Sequence, residues 1–242
     1  MSVIDGSRLK GKSVLVVGAG SGIGTAVAQA AADAGATVVV TSRHIDTAEQ
    51  VAEIVGRGTS AMHLDLGDED SIRSVARRVG AVDHVVTVAA DHANGPVSTL
   101  DATDIEGAFR AKVIGPVLLA KHLAPVMSQG GSFVLFSGYV STRPQAGLAV
   151  MATTNGAVDA LVPALAVDLA PIRVVGISPG VVDSGSWDGM DDKSAFFDEV
   201  TQTNPARRVG VPADIADAVL FALGNPFLTA TTLHVDGGQR VA

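Results

Sequence analysis

The chain has 242 residues, with 17 Lys and Arg against 25 Asp and Glu, a formal net charge of −8 at pH 7, and no cysteine. The acidic balance argues against nucleic acid or an anionic membrane as the main partner. Without cysteine the chain forms neither disulfides nor thiolate metal sites, and no metal site is predicted. No apolar run approaches the length of a membrane span, which favours a soluble, cytoplasmic protein with a small-molecule substrate.

The most informative stretch begins with the first apolar run, residues 14–17. The run is short and β-branched, which is typical of a buried parallel strand. An alanine-rich helical stretch then extends to Gly35, and Ser21 is available to cap it. Between the two stand four glycines: Gly18, Gly20, Gly22 and Gly24. A strand, a glycine turn and a helix N-terminus together form a site for a pyrophosphate, although a tight turn in another α/β protein has the same spacing.

The rest of the chain alternates between apolar β-branched runs and helical segments. Predicted strands lie at 37–41, 61–64, 83–89, 132–137, 172–177 and 231–235, and predicted helices at 46–55, 68–79, 103–127, 150–169 and 212–223. Such alternation predicts a parallel sheet covered by helices on both faces. We therefore predict a single α/β domain over residues 1–242, a Rossmann-like doubly wound sheet of seven parallel strands. Proline is expected to bend the helix 103–127 at Gly115-Pro116.

The end of the second predicted strand bears on cofactor choice. In a dinucleotide-binding fold, an acid at this tip favours a free ribose 2′-hydroxyl, whereas arginine accommodates a 2′-phosphate. Ser42 stands where the acid is expected, and Arg43 comes directly after it. The pair predicts NADP(H) as the cofactor, with a solvated arginine in a loop as the alternative.

The glycine spacing Gly18-x-x-x-Gly22-x-Gly24 and two later signatures, Pro179-Gly180 and 236–238 (Asp-Gly-Gly), resemble the short-chain dehydrogenase/reductase family over essentially the whole chain. The resemblance implies that Asp65 contacts the adenine, although this residue is also a candidate cap for the next helix. It implies that Ser184 binds the nicotinamide carboxamide. The full set of cofactor residues implied is Gly18, Gly20, Ser21, Gly22, Ile23, Gly24, Ser42, Arg43, Asp65, Leu66, Ala89, Ala90, Pro179, Gly180, Val182 and Ser184.

The chain departs from this family at the catalytic positions. Members carry a Ser that orients the substrate, a Tyr that protonates the carbonyl oxygen, a Lys four residues beyond it, and an Asn on the preceding helix. Here those four positions hold, in the same order, Gly138, Met151, Asn155 and Lys112. A thioether cannot donate a proton and glycine has no side chain, so the usual general acid is absent.

Two residues are candidates to replace the missing groups. Lys112 would supply an ammonium that steadies a developing alkoxide, or else is a solvated charge at a helix end. Tyr139, the only tyrosine, is a candidate acid or else a core ring. Asp91 and His92 come after the fourth strand and would do proton chemistry beside a cofactor, although an ordinary exposed loop also explains them.

This pattern predicts two functions of different classes. The first is an NADP(H)-dependent oxidoreductase that reduces a small carbonyl or imine-type substrate by hydride transfer at a non-standard active site. The second is a non-catalytic NADP(H)-binding protein that acts as a sensor or scaffold subunit. A lyase or isomerase that uses Asp91, His92 or Lys112 as a base is a weaker third option. The family resemblance also implies a homodimer or homotetramer.

Overall fold

The structure, a computed structural model, describes residues 9–20 and 22–242. The elements in chain order are β1 (Ser13–Val17), α1 (Gly22–Asp33), β2 (Thr37–Ser42), α2 (Ile45–Val55), β3 (Ser60–His63), α3 (Glu69–Val79), β4 (Val82–Thr87), α4 (Ala102–Phe109), α5 (Gly115–Leu123), β5 (Met127–Phe136), α6 (Ala149–Asp168), β6 (Arg173–Pro179), α7 (Lys193–Thr203), α8 (Pro212–Gly224) and β7 (Thr231–Val235).

The seven strands form one parallel sheet in the order β3-β2-β1-β4-β5-β6-β7. The chain winds outward from β1 through β2 to β3, then crosses to the other side and continues from β4 to β7. Val17 at the end of β1 pairs with Thr41 on one side and with Thr87 on the other. The order therefore reverses beside β1, where an open α/β sheet forms a crevice at its carboxyl edge. The predicted fold is confirmed.

Helices cover both faces of the sheet because its strands are apolar on both sides. Val14 and Val16 of β1 are fully buried against one layer, which includes α1, α2 and α8. Leu15 and Val17 alternate with them and face the other layer, which includes α3, α5 and α6. A strand buried on both faces is an almost continuous run of large aliphatic residues, as β1 is. Its carboxyl end, and the glycine loop beyond it, are thereby held at a fixed place in the fold.

The long helix predicted at 103–127 is interrupted before Gly115-Pro116, not at that dipeptide. Between α4 and α5 lies a π-helical turn, Arg110–Ile114, in which the N–H of Gly115 donates to the carbonyl of Arg110. Pro116 then occupies the first turn of α5, where a missing N–H costs little. The irregularity therefore precedes Gly115-Pro116, and it places Lys112 on a widened turn. Strand β5 also begins earlier than predicted, at Met127 rather than at residue 132.

Helix α6 runs without a break through Pro163, which is exposed. Within the described residues it is the one helix long and apolar enough to cross a bilayer, with a mean hydropathy of 1.4 over 18 residues. Its Val158, Val162 and Leu165 are buried against the sheet. In this fold α6 therefore packs against one face of the sheet. It carries two of the altered catalytic positions, Met151 and Asn155.

Candidate active site

A cleft of about 520 Å³ opens at the carboxyl edge of the sheet, around the point where the strand order reverses. Its size and position are those of ligand sites in open α/β sheets. Most of the predicted cofactor residues line it: Gly18, Gly20, Gly22, Ile23, Gly24, Ser42, Arg43, Asp65, Leu66, Ala89, Ala90 and Ser184. Ser21, which was also predicted, lies outside the described residues.

The glycine loop is packed so closely that side chains are excluded at Gly18 and Gly22, and also at Gly24, where an added Cβ would lie 2.7 Å from the Cα of Ala19. A Cβ added to Gly18 would lie 2.6 Å from the Cα of Ala89, and one added to Gly22 would lie 2.2 Å from the carbonyl oxygen of Ser184. Both glycines also have positive φ, +86° and +54°, a conformation that side chains disfavour. The loop is thus clamped between the segments that come after β4 and β6.

Gly20 differs from its neighbours, because the nearest atom to an added Cβ would be Thr47 Cγ2 at 3.5 Å, an ordinary contact. Protein packing therefore does not require a glycine at this position, and Gly20 presents bare backbone to the cleft. The first turn of α1 contains no acidic residue, so its positive end is available to an anion. These features fit the diphosphate of a dinucleotide.

The end of the cleft beside β2 and β3 carries Ser42, Arg43 and Asp65. Arg43 donates two hydrogen bonds to Asp91, from Nη1 to Oδ2 at 3.1 Å and from Nη2 to Oδ1 at 2.7 Å. Asp65 Oδ1 accepts from the N–H of Gly67 at 2.8 Å. The interpretation of Asp65 as the cap of the next helix is wrong, since Asp68 caps α3 by accepting from the N–H of Asp70.

Three predicted cofactor residues, Pro179, Gly180 and Val182, are not among those that line the cleft. Gly180 lies against the segment after β7, where an added Cβ would meet the Cα of Asp236 at 2.8 Å. Val182 is buried and forms an isolated bridge with Gly210. In this structure these residues secure the segment that brings Ser184 to the glycine loop.

Lys112 is buried, with 6% of the residue exposed. Its Nζ donates to Asn155 Oδ1 and, at 3.4 Å, to the carbonyl oxygen of Ser137. Lysine and asparagine have therefore exchanged elements relative to the family pattern, and they are in contact. Burial lowers the pKa of Lys112 to about 8, and the charge of Asp159 on α6 opposes that shift. The alternative of a solvated lysine at a helix end is wrong.

The replacement of serine at position 138 is coupled to this exchange. A Cβ added to Gly138 would lie 2.7 Å from Nδ2 of Asn155, while the φ of 176° is open to any residue. Asn155 itself is 2% exposed, and its backbone carbonyl accepts from Ser137 Oγ at 3.1 Å. Asn155 occupies the space that a side chain at position 138 needs, so the two replacements belong together.

Tyr139 lies in an apolar cluster, which we call the lid cluster. It comprises Tyr139, Val140, Val181 and Val200 with Leu148, Met151, Trp187, Phe196, Phe197 and Val209 packed against them. The ring is 8% exposed and its hydroxyl donates to Gln145 Oε1 at 3.3 Å. Burial raises the pKa of Tyr139. Neither Tyr139 nor Met151 lines the cleft, so the interpretation of Tyr139 as a core ring is the one that the structure supports.

Sequence reasoning missed Arg110, which is the first residue of the π-helical turn and lines the cleft. No local signal marks it, because the turn itself is not visible in the sequence. Asp91 and His92 line the cleft as well, but the structure pairs Asp91 with Arg43. Desolvation lowers the pKa of His92, and the charge of Lys112 lowers it further, which favours the neutral imidazole.

A reversed strand order, a crevice at the reversal and a clamped glycine loop define a dinucleotide-binding protein of the Rossmann class. Residues 18–240 match the family described as enoyl-(acyl carrier protein) reductase. The chain is 32% identical to the short-chain dehydrogenase/reductase ucsE of an Acremonium species, over 100% of both chains. It belongs to the short-chain dehydrogenase/reductase family.

Further similarities agree with this assignment. The chain is 31% identical to the 1-cyclohexenylcarbonyl-CoA reductase of Streptomyces collinus, over 86% of this chain and 79% of that one. A solved small-chain dehydrogenase in complex with NADPH superposes with a TM-score of 0.81 at 33% identity, covering 96% and 100% of the two chains. The predicted family is confirmed, and with it a nicotinamide dinucleotide as the cofactor.

Proposed function

We propose that this chain is an NADP(H)-dependent oxidoreductase that reduces a small carbonyl or imine-type substrate. One observation carries the proposal: Ser42 ends β2 where an acid would select NAD(H), and Arg43, directly after it, lines the same cleft as the glycine loop. The NADPH bound to a structure of similar fold supports the choice of cofactor.

The residues of the cleft divide the cofactor among them. The backbone of the glycine loop and the N-terminus of α1 would hold the diphosphate, Arg43 would hold the 2′-phosphate, and the Ser184 hydroxyl would hold the carboxamide of the nicotinamide. When bound, the reduced nicotinamide supplies a hydride to the substrate. The chain's own contribution would be to bind and orient the cofactor in the cleft, which Phe136 and Ser184 also line.

Ketones and iminium ions differ in whether the protein must supply a proton during reduction. Loss of a general acid typically costs about 10²–10⁴-fold in rate, and the position of the usual tyrosine holds Met151. An iminium carbon takes a hydride without needing a proton from the protein, whereas a ketone requires one. Between these two substrate classes, the site therefore favours an imine-type electrophile.

The second candidate function is a binding protein without turnover. It is favoured by a specific observation: Gly138, Met151 and Asn155 do not line the cleft, and Met151 packs in the lid cluster. Under this alternative the chain binds NADP(H) as a sensor or scaffold subunit.

Turnover separates the two candidates. Purified protein is mixed with NADPH and a panel of aldehydes, ketones and cyclic iminium ions, and cofactor absorbance is monitored. We expect saturable oxidation of NADPH with at least one iminium compound, faster than with the matching ketone. Binding of NADPH with no turnover across the panel would reject the oxidoreductase and leave the binding protein.

Cofactor choice is tested by the tip of β2. The double replacement of Ser42 by Asp and Arg43 by Ala is expected to reverse the preference, since it removes the partner of the 2′-phosphate and supplies an acid for the 2′-hydroxyl. Dissociation constants for NADPH and NADH, measured by calorimetry for both proteins, check this. Unchanged discrimination would remove Arg43 from cofactor selection.

We also propose a cytoplasmic homodimer or homotetramer. Val117 on α5 is 42% exposed, Val167 on α6 is 77% exposed, and Ile114 in the π-helical turn is 48% exposed. Ala160 and Pro163 are exposed along α6. These exposed apolar side chains would be buried against a second copy of the chain. Light scattering is expected to give a mass of two or four times 24.4 kDa, and a mass equal to that of one chain would contradict the assembly.

A further inference from the structure

The ion pair between Arg43 and Asp91 joins two residues that line the cleft. The two hydrogen bonds, at 3.1 and 2.7 Å, use both terminal nitrogens of the guanidinium and both oxygens of the carboxylate. This fork-to-fork arrangement is the strongest geometry that arginine forms with a carboxylate. It occupies the donors with which arginine also binds phosphate.

The sheet explains why two residues 48 positions apart meet here. Arg43 comes after β2 and Asp91 comes after β4, while β1 lies between those strands. The pair thus spans the carboxyl end of β1, where the glycine loop begins, and both residues line the cleft. A dinucleotide whose diphosphate rests on that loop passes directly beside the pair.

Arg43 can exchange Asp91 for another anion at little cost to the stability of the fold. The side chains of Arg43 and Asp91 are 58% and 33% exposed, and exposed ion pairs contribute little to folding stability. A dianionic phosphate carries more charge than a carboxylate and binds the same fork. A 2′-phosphate therefore competes with Asp91 for the guanidinium on favourable terms.

We propose that Asp91 is a specificity-determining residue: its carboxylate holds the Arg43 guanidinium across the cleft and has to release it to the 2′-phosphate of NADP(H). This proposal rests on the proposed function, because it requires that Arg43 selects the phosphorylated cofactor. Its consequence is that the chain binds NADPH less tightly than Arg43 alone would allow. NADH, which lacks the phosphate, does not compete for the fork.

The experiment is a double-mutant cycle between Asp91→Asn and Arg43→Ala, with dissociation constants for NADPH and NADH measured by calorimetry. The amide keeps the shape of the side chain and removes its charge. We expect Asp91→Asn to tighten NADPH binding about fivefold to tenfold and to leave NADH binding within about twofold. In the Arg43→Ala background the same change is expected to tighten NADPH binding much less, because only the repulsion between the carboxylate and the 2′-phosphate is then removed.

A matched control separates local competition from a change in net charge. Asp33→Asn removes the carboxylate of another exposed pair, with Arg57 at 2.8 Å, that does not line the cleft. It is expected to leave both dissociation constants unchanged.

Three results would overturn the proposal: weaker or unchanged NADPH binding in Asp91→Asn, equal tightening of both cofactors, or tightening that is as large without Arg43 as with it. If the unmodified protein prefers NADPH while any of these is found, only the role of Asp91 fails. If it shows no preference for NADPH, the proposed cofactor choice fails as well.

Discussion

Gly22→Ala is expected to weaken NADPH binding by at least about 100-fold, equivalent to about 2.7 kcal/mol. The new Cβ would lie 2.2 Å from the carbonyl oxygen of Ser184, a distance that forces the two segments apart. Alanine also disfavours the φ of +54° by about 1–2 kcal/mol. Displacement of the loop would move both the amides that we propose to bind the diphosphate and the hydroxyl of Ser184.

Gly58→Ala is the matched control for this substitution. Gly58 has a similar positive φ, +78°, and an added Cβ there meets nothing within 4 Å. The control carries the same backbone cost without the contact, so its affinity for NADPH is expected to match that of the unmodified chain. Calorimetric titration, with circular dichroism to verify folding, compares the three proteins. Equal affinities for Gly22→Ala and Gly58→Ala would show that the clamp on the loop does not shape the cofactor site.

Lys112→Met is expected to change how stability depends on pH. The pKa of Lys112 in the folded protein is about 8, against an ordinary value of 10.5. Below pH 8 the lysine is charged in both states, and the folded state bears the cost of burying the ammonium. As the pH rises from 8 to 10.5, the folded state releases the proton first. The free energy of unfolding of the unmodified protein should therefore rise, by about 3 kcal/mol relative to the variant.

Urea unfolding between pH 7 and 10.5 measures this difference. Lys121→Met removes an exposed lysine that pairs with Glu69 on the surface, and it serves as the control for loss of a positive charge. Parallel pH profiles for the unmodified protein and Lys112→Met would mean that the ammonium is not buried as described. The same variant tests the predicted catalytic role of Lys112, which is not among the residues that line the cleft: equal rates of NADPH oxidation would mean that Lys112 takes no part in turnover.

The sequence places most of the predicted cofactor residues in one cleft, because that half of the site depends on local patterns. Strand β1 and the glycine loop are adjacent in the chain, and Ser42 and Arg43 stand directly at the end of β2. The apolar, β-branched runs place the strands within a few residues, since buried parallel strands tolerate little else. Strand β5 is the exception, because its first residues, 128–131 (Ser-Gln-Gly-Gly), have the composition of a loop.

The altered catalytic half could not be predicted in the same way, because its contacts join distant segments. Lys112 is buried by Asn155, 43 residues away, and its position depends on the π-helical turn. Asp91 follows β4 and Arg43 follows β2. The two residues meet because both strands lie next to β1 in the sheet. The buried face of a single helix can be predicted from hydrophobic periodicity. A contact between loops at the sheet edge can be predicted only when the order of the strands is known.

The central claim is that the cleft at the reversal of strand order binds NADP(H), with Arg43 selecting the phosphorylated form. Calorimetric titration of the purified, unmodified chain with NADPH and then with NADH tests it most directly. The expected result is saturable uptake of one NADPH per chain, tighter than that of NADH. No uptake of either nucleotide, or tighter binding of NADH, would contradict the claim.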